Sequence, residues 1–253
     1  MISGLIGKKL GMTRIFDDKG NVIPVTLLEV GPCTVVQVKS SSGKDGYGAV
    51  QLGFEPKKLE KVNKPYAGHF KKAGIKTAFR HLCEFRTAKE EALAVGDELT
   101  AEQVFKENTI VKVQGTSIGR GFAGGMKRHG FHGSPSSHGA EKVHRRPMSA
   151  GSTDAQRVFK GKRSPGHMGD QSVTIRNLKL VKIKALDAGV EEPEELKNIP
   201  AQETAEAQGA ETAPEGKEKK KSEVAKAKGR KYVVAVKGAI PGKKNSLVII
   251  ENL

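Results

Sequence analysis

Residues 115–133, GTSIGRGFAGGMKRHGFHG, hold seven glycines and three strong bases, Arg120, Lys127 and Arg128, with no acid among them. Two kinds of chemistry use that composition. Gly119-Arg-Gly-Phe-Ala-Gly124 fits G-x-G-x-x-G, the loop that lets backbone approach the pyrophosphate of a dinucleotide. Glycine backbone set among cations also suits the phosphates of a polynucleotide, because no Cβ blocks close approach. The dinucleotide site needs a helix opening at the third glycine, whose N–H groups and dipole face the pyrophosphate. The chain continues from there as GMKRHGFHGSPSSHG, where Gly125, Gly130, Gly133 and the Ser134–Pro135 step argue against a stable helix. Glu141 stands near the spacing of a ribose-binding acid, but no second strand carries it. The expectation is therefore no helix and no cofactor here.

Other chemistries are weaker. His129, His132, His138 and His144 have no cysteine nearby and no paired ligand spacing, so no metal site is expected. Ser134, Ser136, Ser137 and His138 are close in the chain only, which is not how a nucleophile, base and orienting acid are assembled. No catalytic residue is named.

The bases carry the argument. Arg120, Lys127, Arg128, Lys142, Arg145, Arg146, Arg157, Lys160, Lys162 and Arg163 stand against two acids, Glu141 and Asp154. Such a segment repels itself in water, and phosphates relieve that repulsion. Arginine adds a forked hydrogen-bonding geometry that fits phosphate. His129 and His144 add polar or weakly cationic contacts. The reading is an RNA-binding segment.

The elements around it must hold both of its ends. MTRIF, VIPVTLLEV, CTVVQVK and YGAVQLGF in 1–54 are short β patterns separated by DDKG, GP and SSGKDG turns, which suggests a barrel or sandwich. TIVKVQGTS at 109–117 is a strand, SVTIRNLKLVKIK at 172–184 restores alternation, and KYVVAVKGAIPGKKNSLVII gives two last strands. KPYAGHFKKAGI and TAKEEALAVGD are helix-forming, and Thr100-Ala-Glu-Gln103 fits a capping box opening a short helix through Phe105. The fold class is mainly β with a small α insert. The expected organisation is a barrel core from 1–55, 109–117 and 170–253, a helical insert at 56–108, and an extended finger at 118–169. Because strands bracket it, the finger is a looped-out arm and not a terminal tail. Fifty structureless residues inside a compact domain would be unusual, so the arm is expected to fold against a partner.

Composition agrees. Of 253 residues, 44 are Lys or Arg and 28 Asp or Glu, a net charge of +16. Residues 187–228 are low-complexity, with eleven acids and seven bases, so the remaining chain carries +20. That excess calls for a polyanion. Those residues read as a disordered or partly helical insertion between two strands. Two cysteines imply neither a disulfide framework nor a metal site, and a reduced compartment is the natural reading. No apolar run reaches the roughly 20 residues of a membrane span, and MISGLIGKKLG lacks the order of a signal peptide. A cytoplasmic chain with no membrane partner and no homo-oligomer is expected.

GTSIGRGFAGGMKRHGF resembles the signature of the bacterial large-subunit ribosomal protein L-three family. GLIGKKLGMTRIFDDKGNVIPVTLLEV, KPYAGHFKKAGI, CEFR, VFKGKRSPGHMGDQSVTIRNLKLVKI and VVAVKGAIPGKKNSLVII resemble further family segments in order, over about 1–186 and 230–253. The resemblance implies a translation-factor-like β-barrel with a small helical insert. It also implies a long extension threading through 23S-type rRNA toward the peptidyl transferase centre, early assembly near the 3′ domain, and neighbours L-fourteen and L-nineteen. On this chain the extension is Ser117 to about Gly169. Arg120, Lys127, Arg128, Arg145, Arg146, Lys160, Lys162 and Arg163 would clamp RNA, and Lys8, Lys9 and Arg14 fall in the amino-terminal motif. The tip would be Met148, Ser149, Ala150, Gly151, Ser152, Thr153, Asp154, Ala155 and Gln156. Many family members carry a methylated glutamine in the tip. Here Ser152 stands in its place and Gln156 is no obvious substitute, so the modification is not implied. The alternative reading is an RNA-modifying or nucleotide-dependent enzyme using the GRGFAG loop.

Overall fold

The computed structural model describes residues 2–17, 19–43, 45–87, 93–186 and 231–253. The expected insertion at 187–228 and part of the TAKEEALAVGD stretch lie outside the described residues. In chain order the elements are β1 (Gly4–Phe16), β2 (Val22–Val30), β3 (Cys33–Lys39), β4 (Ala49–Lys57), α1 (Lys64–Lys72), β5 (Ala78–Arg86) and β6 (Glu98–Leu99). Then come α2 (Ala101–Val104), β7 (Ile110–Thr116), β8 (Gly121–Ala123), α3 (Gly125–His129), β9 (Gly166–Met168), β10 (Ser172–Leu186), β11 (Lys231–Lys237) and β12 (Leu247–Asn252).

Six antiparallel strands close into a barrel in the order β1-β12-β7-β10-β11-β2, so each has two hydrogen-bonded neighbours. Closure leaves no free edge. The first hairpin is set by its turn chemistry: Asp17 N–H bonds Asn21 O at 2.9 Å, and Gly20 takes φ +79°. Alternation sends Val111 and Val113 of β7, Val234 and Val236 of β11, and Val248 and Ile250 of β12 into the core. β10 departs from regular pairing between Ile175 and Leu178, where Asn177 takes φ +60°. That bulge bends a fifteen-residue strand around the barrel.

One expectation is corrected. β3 and β4 do not join the barrel. They pair with β5 and β6 in a separate sheet of order β5-β4-β3-β6. Both strands are buried on two faces. Val35 of β3 packs into the barrel's core cluster, while Val36 packs with Phe70 of α1 and Phe79 of β5. Ordinary strand alternation points these successive valines at the two layers. α1 and β5 cover Val36 on the face turned away from the barrel core, so this sheet is a second layer packed against the barrel. The expected helix at Lys64–Lys72 forms, and the capping box forms at Thr100, whose N–H donates to Gln103 Oε1 at 3.0 Å. The described part of TAKEEALAVGD is a loop closed by Ala94 N–H to Asp97 Oδ2 at 2.8 Å.

Cys33 sits in the shared core, and burial pushes its thiol up to about 12 from an ordinary 9.0. Because the native state keeps this proton longer, the stability it confers is complete below pH 9 and is lost as pH rises toward 12. In a native alkylation time course at pH 8, Cys83 should react while Cys33 stays unmodified until denaturant is added. Equal labelling of both would contradict the buried placement.

Candidate nucleic-acid interface

The arm leaves the barrel at the end of β7 and returns at the start of β10. Its feet are stapled together: Ser117 N–H bonds Gln171 O at 2.9 Å, Asp170 N–H bonds Ser117 O at 3.2 Å, and Arg120 N–H bonds Met168 O at 2.8 Å. Gly169 makes this approach possible. It has φ +78°, and a Cβ there would lie 2.1 Å from the Ile118 carbonyl. The ladder continues as β8 on β9, with Gly121, Phe122 and Ala123 opposite Met168, His167 and Gly166. The root is thus a two-stranded ribbon, more ordered than a wholly irregular finger.

The expected absence of a helix after Gly124 is also corrected. The glycine-rich segment does form a helix, α3, but one of five residues. Arg128 N–H and Gly130 N–H reach Gly124 O and Met126 O, each at 3.0 Å, and Gly130 ends the turn at φ +71°. The glycines that forbid a long helix permit this short one. A Cβ on Gly125 would lie 2.8 Å from the Phe131 ring, so only glycine lets that ring close over the turn. β8 pairs antiparallel with β9, whereas a dinucleotide unit needs a parallel strand–helix–strand crossover.

α3 grips the returning strand. Arg128 donates through a guanidinium nitrogen to Ser164 O at 2.8 Å, and His129 Nε2 donates to the same oxygen at 3.1 Å. Both side chains are half-buried, and each has spent a donor inside the protein. Lys127, on the same turn, is exposed. Further out, His144 Nδ1 donates to Pro135 O at 3.1 Å and Lys162 Nζ to Ser149 O at 3.2 Å. These bonds fold the arm's middle back on itself. Lys142, Arg145, Arg146, Arg157, Lys160 and Arg163 are exposed, and among the described residues none has a side-chain partner. From Met148 to Gln156 every residue is exposed except Ala155, which is half-buried. Met148, Val158 and Phe159 leave 69%, 64% and 68% of their surface in solvent. Three large apolar side chains are thus left open among the cations.

The amino-terminal cations divide. Arg14 is exposed on β1. Lys8 pairs with Glu55, a left-handed residue at φ +59° in β4 that also lies 3.7 Å from both Arg80 and His81. Lys8 therefore ties the barrel to the second sheet. Lys9 Nζ donates to Ile240 O at 2.7 Å and Gly242 O at 3.0 Å, and desolvation lowers its pKa. It pins the β11–β12 turn. Both lysines thus have partners within the protein that the sequence did not disclose.

Where that turn meets the arm's root lies a cleft of about 660 Å³. Lys9, Arg120, Arg128, His129 and His167 line it, and no acid does. His167 and the turn were not singled out from the sequence. Their signal was present only as SPGHMGDQ and GAIPGKKN, neutral-looking segments within the longer family-like stretches. Among the described residues, no three His, Cys, Asp or Glu side chains gather as a metal site would require, and no helix is long and apolar enough to cross a membrane.

Comparison of the sequence with known proteins finds a family. The profile described as ribosomal protein L3 matches residues 84–252. The large ribosomal subunit protein uL3 of Pelotomaculum thermopropionicum is 52% identical over 185 residues, covering 73% of this chain and 86% of that protein. The uL3 of Corynebacterium jeikeium is 51% identical over 185 residues, covering 73% and 84%. That of Magnetococcus marinus is 41% identical over 253 residues, covering 100% of this chain and 96% of its own length, so 187–228 falls within the aligned span. With a β-barrel core, an arm rooted between β7 and β10, and this degree of identity along the chain, the protein belongs to the ribosomal protein L3 family.

Proposed function

We propose that this chain is a structural, non-enzymatic component of the cytoplasmic large ribosomal subunit. It binds 23S-type rRNA early in assembly, near the 3′ domain, and its arm extends toward the peptidyl transferase centre. L-fourteen and L-nineteen are its expected protein neighbours. The observation that carries the reading is the arm itself: exposed cations, most of them without a side-chain partner among the described residues, on a segment fixed at both feet, with apolar side chains left open among them. Phosphates satisfy the cations through charge-assisted hydrogen bonds, and RNA surface covers the apolar groups. Arg120, Lys127, Lys142, Arg145, Arg146, Arg157, Lys160 and Arg163 are the proposed phosphate contacts, with Lys162, His144 and Arg14 beside them. Arg128 and His129 act chiefly by shaping the root, and Lys8 and Lys9 by holding the scaffold. Any influence of Met148–Gln156 on peptide-bond formation would run through RNA shape; the one ionisable side chain there, Asp154, is exposed to solvent.

The enzyme reading of the GRGFAG loop finds little support in a five-residue helix beside an antiparallel ribbon. Sedimentation of cell lysate through a sucrose gradient tests the proposal. The chain should travel quantitatively with large subunits. A pool remaining at the top of the gradient would favour a role outside the ribosome.

A further inference from the structure

The cleft at the arm's root combines two chemistries that a phosphate contact alone does not need. Part of its lining is cationic. The rest is apolar: Ile118, Met168 and Pro241, with the buried Ile240 behind them. Ile118 is 61% exposed, an unusual state for an isoleucine facing a concavity. Of the basic groups, Lys9, Arg128 and His129 are committed to backbone carbonyls and act as frame. Among the described residues, Arg120 and His167 have no side-chain partner, and both are exposed at the mouth. Phe122, opposite His167 in the ladder and 79% exposed, adds an aromatic face close by.

We propose that this cleft receives one unstacked nucleotide of RNA, its base against Ile118, Met168 and the Ile240–Pro241 turn, its phosphate on Arg120 and His167. The inference rests on the rRNA-binding reading above and specifies what the root, as distinct from the arm, recognises. A volume of about 660 Å³ suits a nucleotide, whereas a lone anion would leave the apolar wall unused. A duplex backbone would leave it unused as well, because paired bases are not available to it. RNA recognition by proteins commonly takes splayed-out bases in this way. The site is also preformed: backbone bonds close the root and Lys9 fixes the turn, so little ordering is needed on binding.

Phosphate and base contacts separate in their salt dependence. A phosphate contact contributes to the slope of log affinity against log salt, while an apolar base contact changes affinity equally at every salt. The full chain is titrated with large-subunit rRNA as wild type, Arg120→Ala, His167→Ala and Ile118→Ser. Thermal melts first establish that the exposed Ile118 is replaced without loss of fold. Arg120→Ala should reduce the slope by about one. Ile118→Ser should weaken binding by about five- to tenfold at all salts, with the slope unchanged. Ultraviolet crosslinking of the wild-type complex should place a nucleotide on the peptide containing His167 and Met168. An Ile118→Ser chain that binds like wild type overturns the proposal, as does an arm that crosslinks while this peptide does not. In assembled large subunits, a crosslink from this peptide to a protein segment in place of a nucleotide would assign the cleft to a neighbouring protein and equally overturn it. Each of these outcomes leaves general rRNA binding intact. A wild-type chain that fails to bind rRNA at all would instead remove the reading on which the inference rests.

Discussion

Replacing Lys160, Lys162 and Arg163 together with alanine is expected to lower the salt slope of rRNA binding by about two to three, because each phosphate contact releases roughly 0.7 to 0.9 counterions. Between about 50 and 200 mM salt, the variant should lose roughly 15- to 60-fold less affinity than the wild type loses. Lys160 and Arg163 are exposed and, among the described residues, have no side-chain partner; Lys162 reaches only the carbonyl of Ser149, at 3.2 Å. None of the three supports the core, so the melting temperature should not move. That pairing of results separates electrostatic binding from structural support. A slope equal to that of the wild type would take these residues off the RNA. A lowered melting temperature would mean that the arm's return path stabilises the barrel.

The second large effect falls on the scaffold. Gly4 opens β1 where it pairs with Glu251 of β12. A Cβ there would lie 2.2 Å from the Ile250 carbonyl and 2.9 Å from the Phe85 ring of the second sheet. The first obstacle is backbone in a closed ring of strands, which cannot yield without breaking a ladder. Gly4→Ala should therefore cost about 3 kcal/mol, at the upper end for overpacking. For a chain of this size that corresponds to a fall in melting temperature of roughly 6 to 12 °C. Chemical and thermal melts measure it directly. A change within about 0.5 kcal/mol, the range of ordinary surface substitutions, would show that the β1–β12 closure is looser than the geometry requires. If RNA binding by the residual folded Gly4→Ala protein keeps the wild-type salt slope, arm and scaffold act independently.

The sequence alone determined the strands, because alternation is local: TIVKV and KYVVAV announce which face is apolar wherever the strand is placed. It also determined the arm, since ten bases against two acids between two strand patterns constrain what the segment can meet. Family-like motifs along the chain pointed to the same conclusion. Helix formation at α1 and the Thr100 cap were legible for the same reason, being decided by residues within a few positions of one another.

Only the tertiary structure decided partners. The pattern of β3 and β4 says that they are buried, not against what, so their departure from the barrel to pair with β5 and β6 had no local signal. The same holds for β1 closing on β12 near the other end of the chain. Lys8 and Lys9 looked like free cations until Glu55 and two carbonyls of the β11–β12 turn were brought beside them. The short helix α3 depends on Phe131 folding over Gly125, and the cleft on His167 arriving opposite Phe122. Backbone preference and hydrophobic period are properties of a segment. Pairing, charge neutralisation and concavity are properties of segments far apart in the chain, and those form only when the barrel closes.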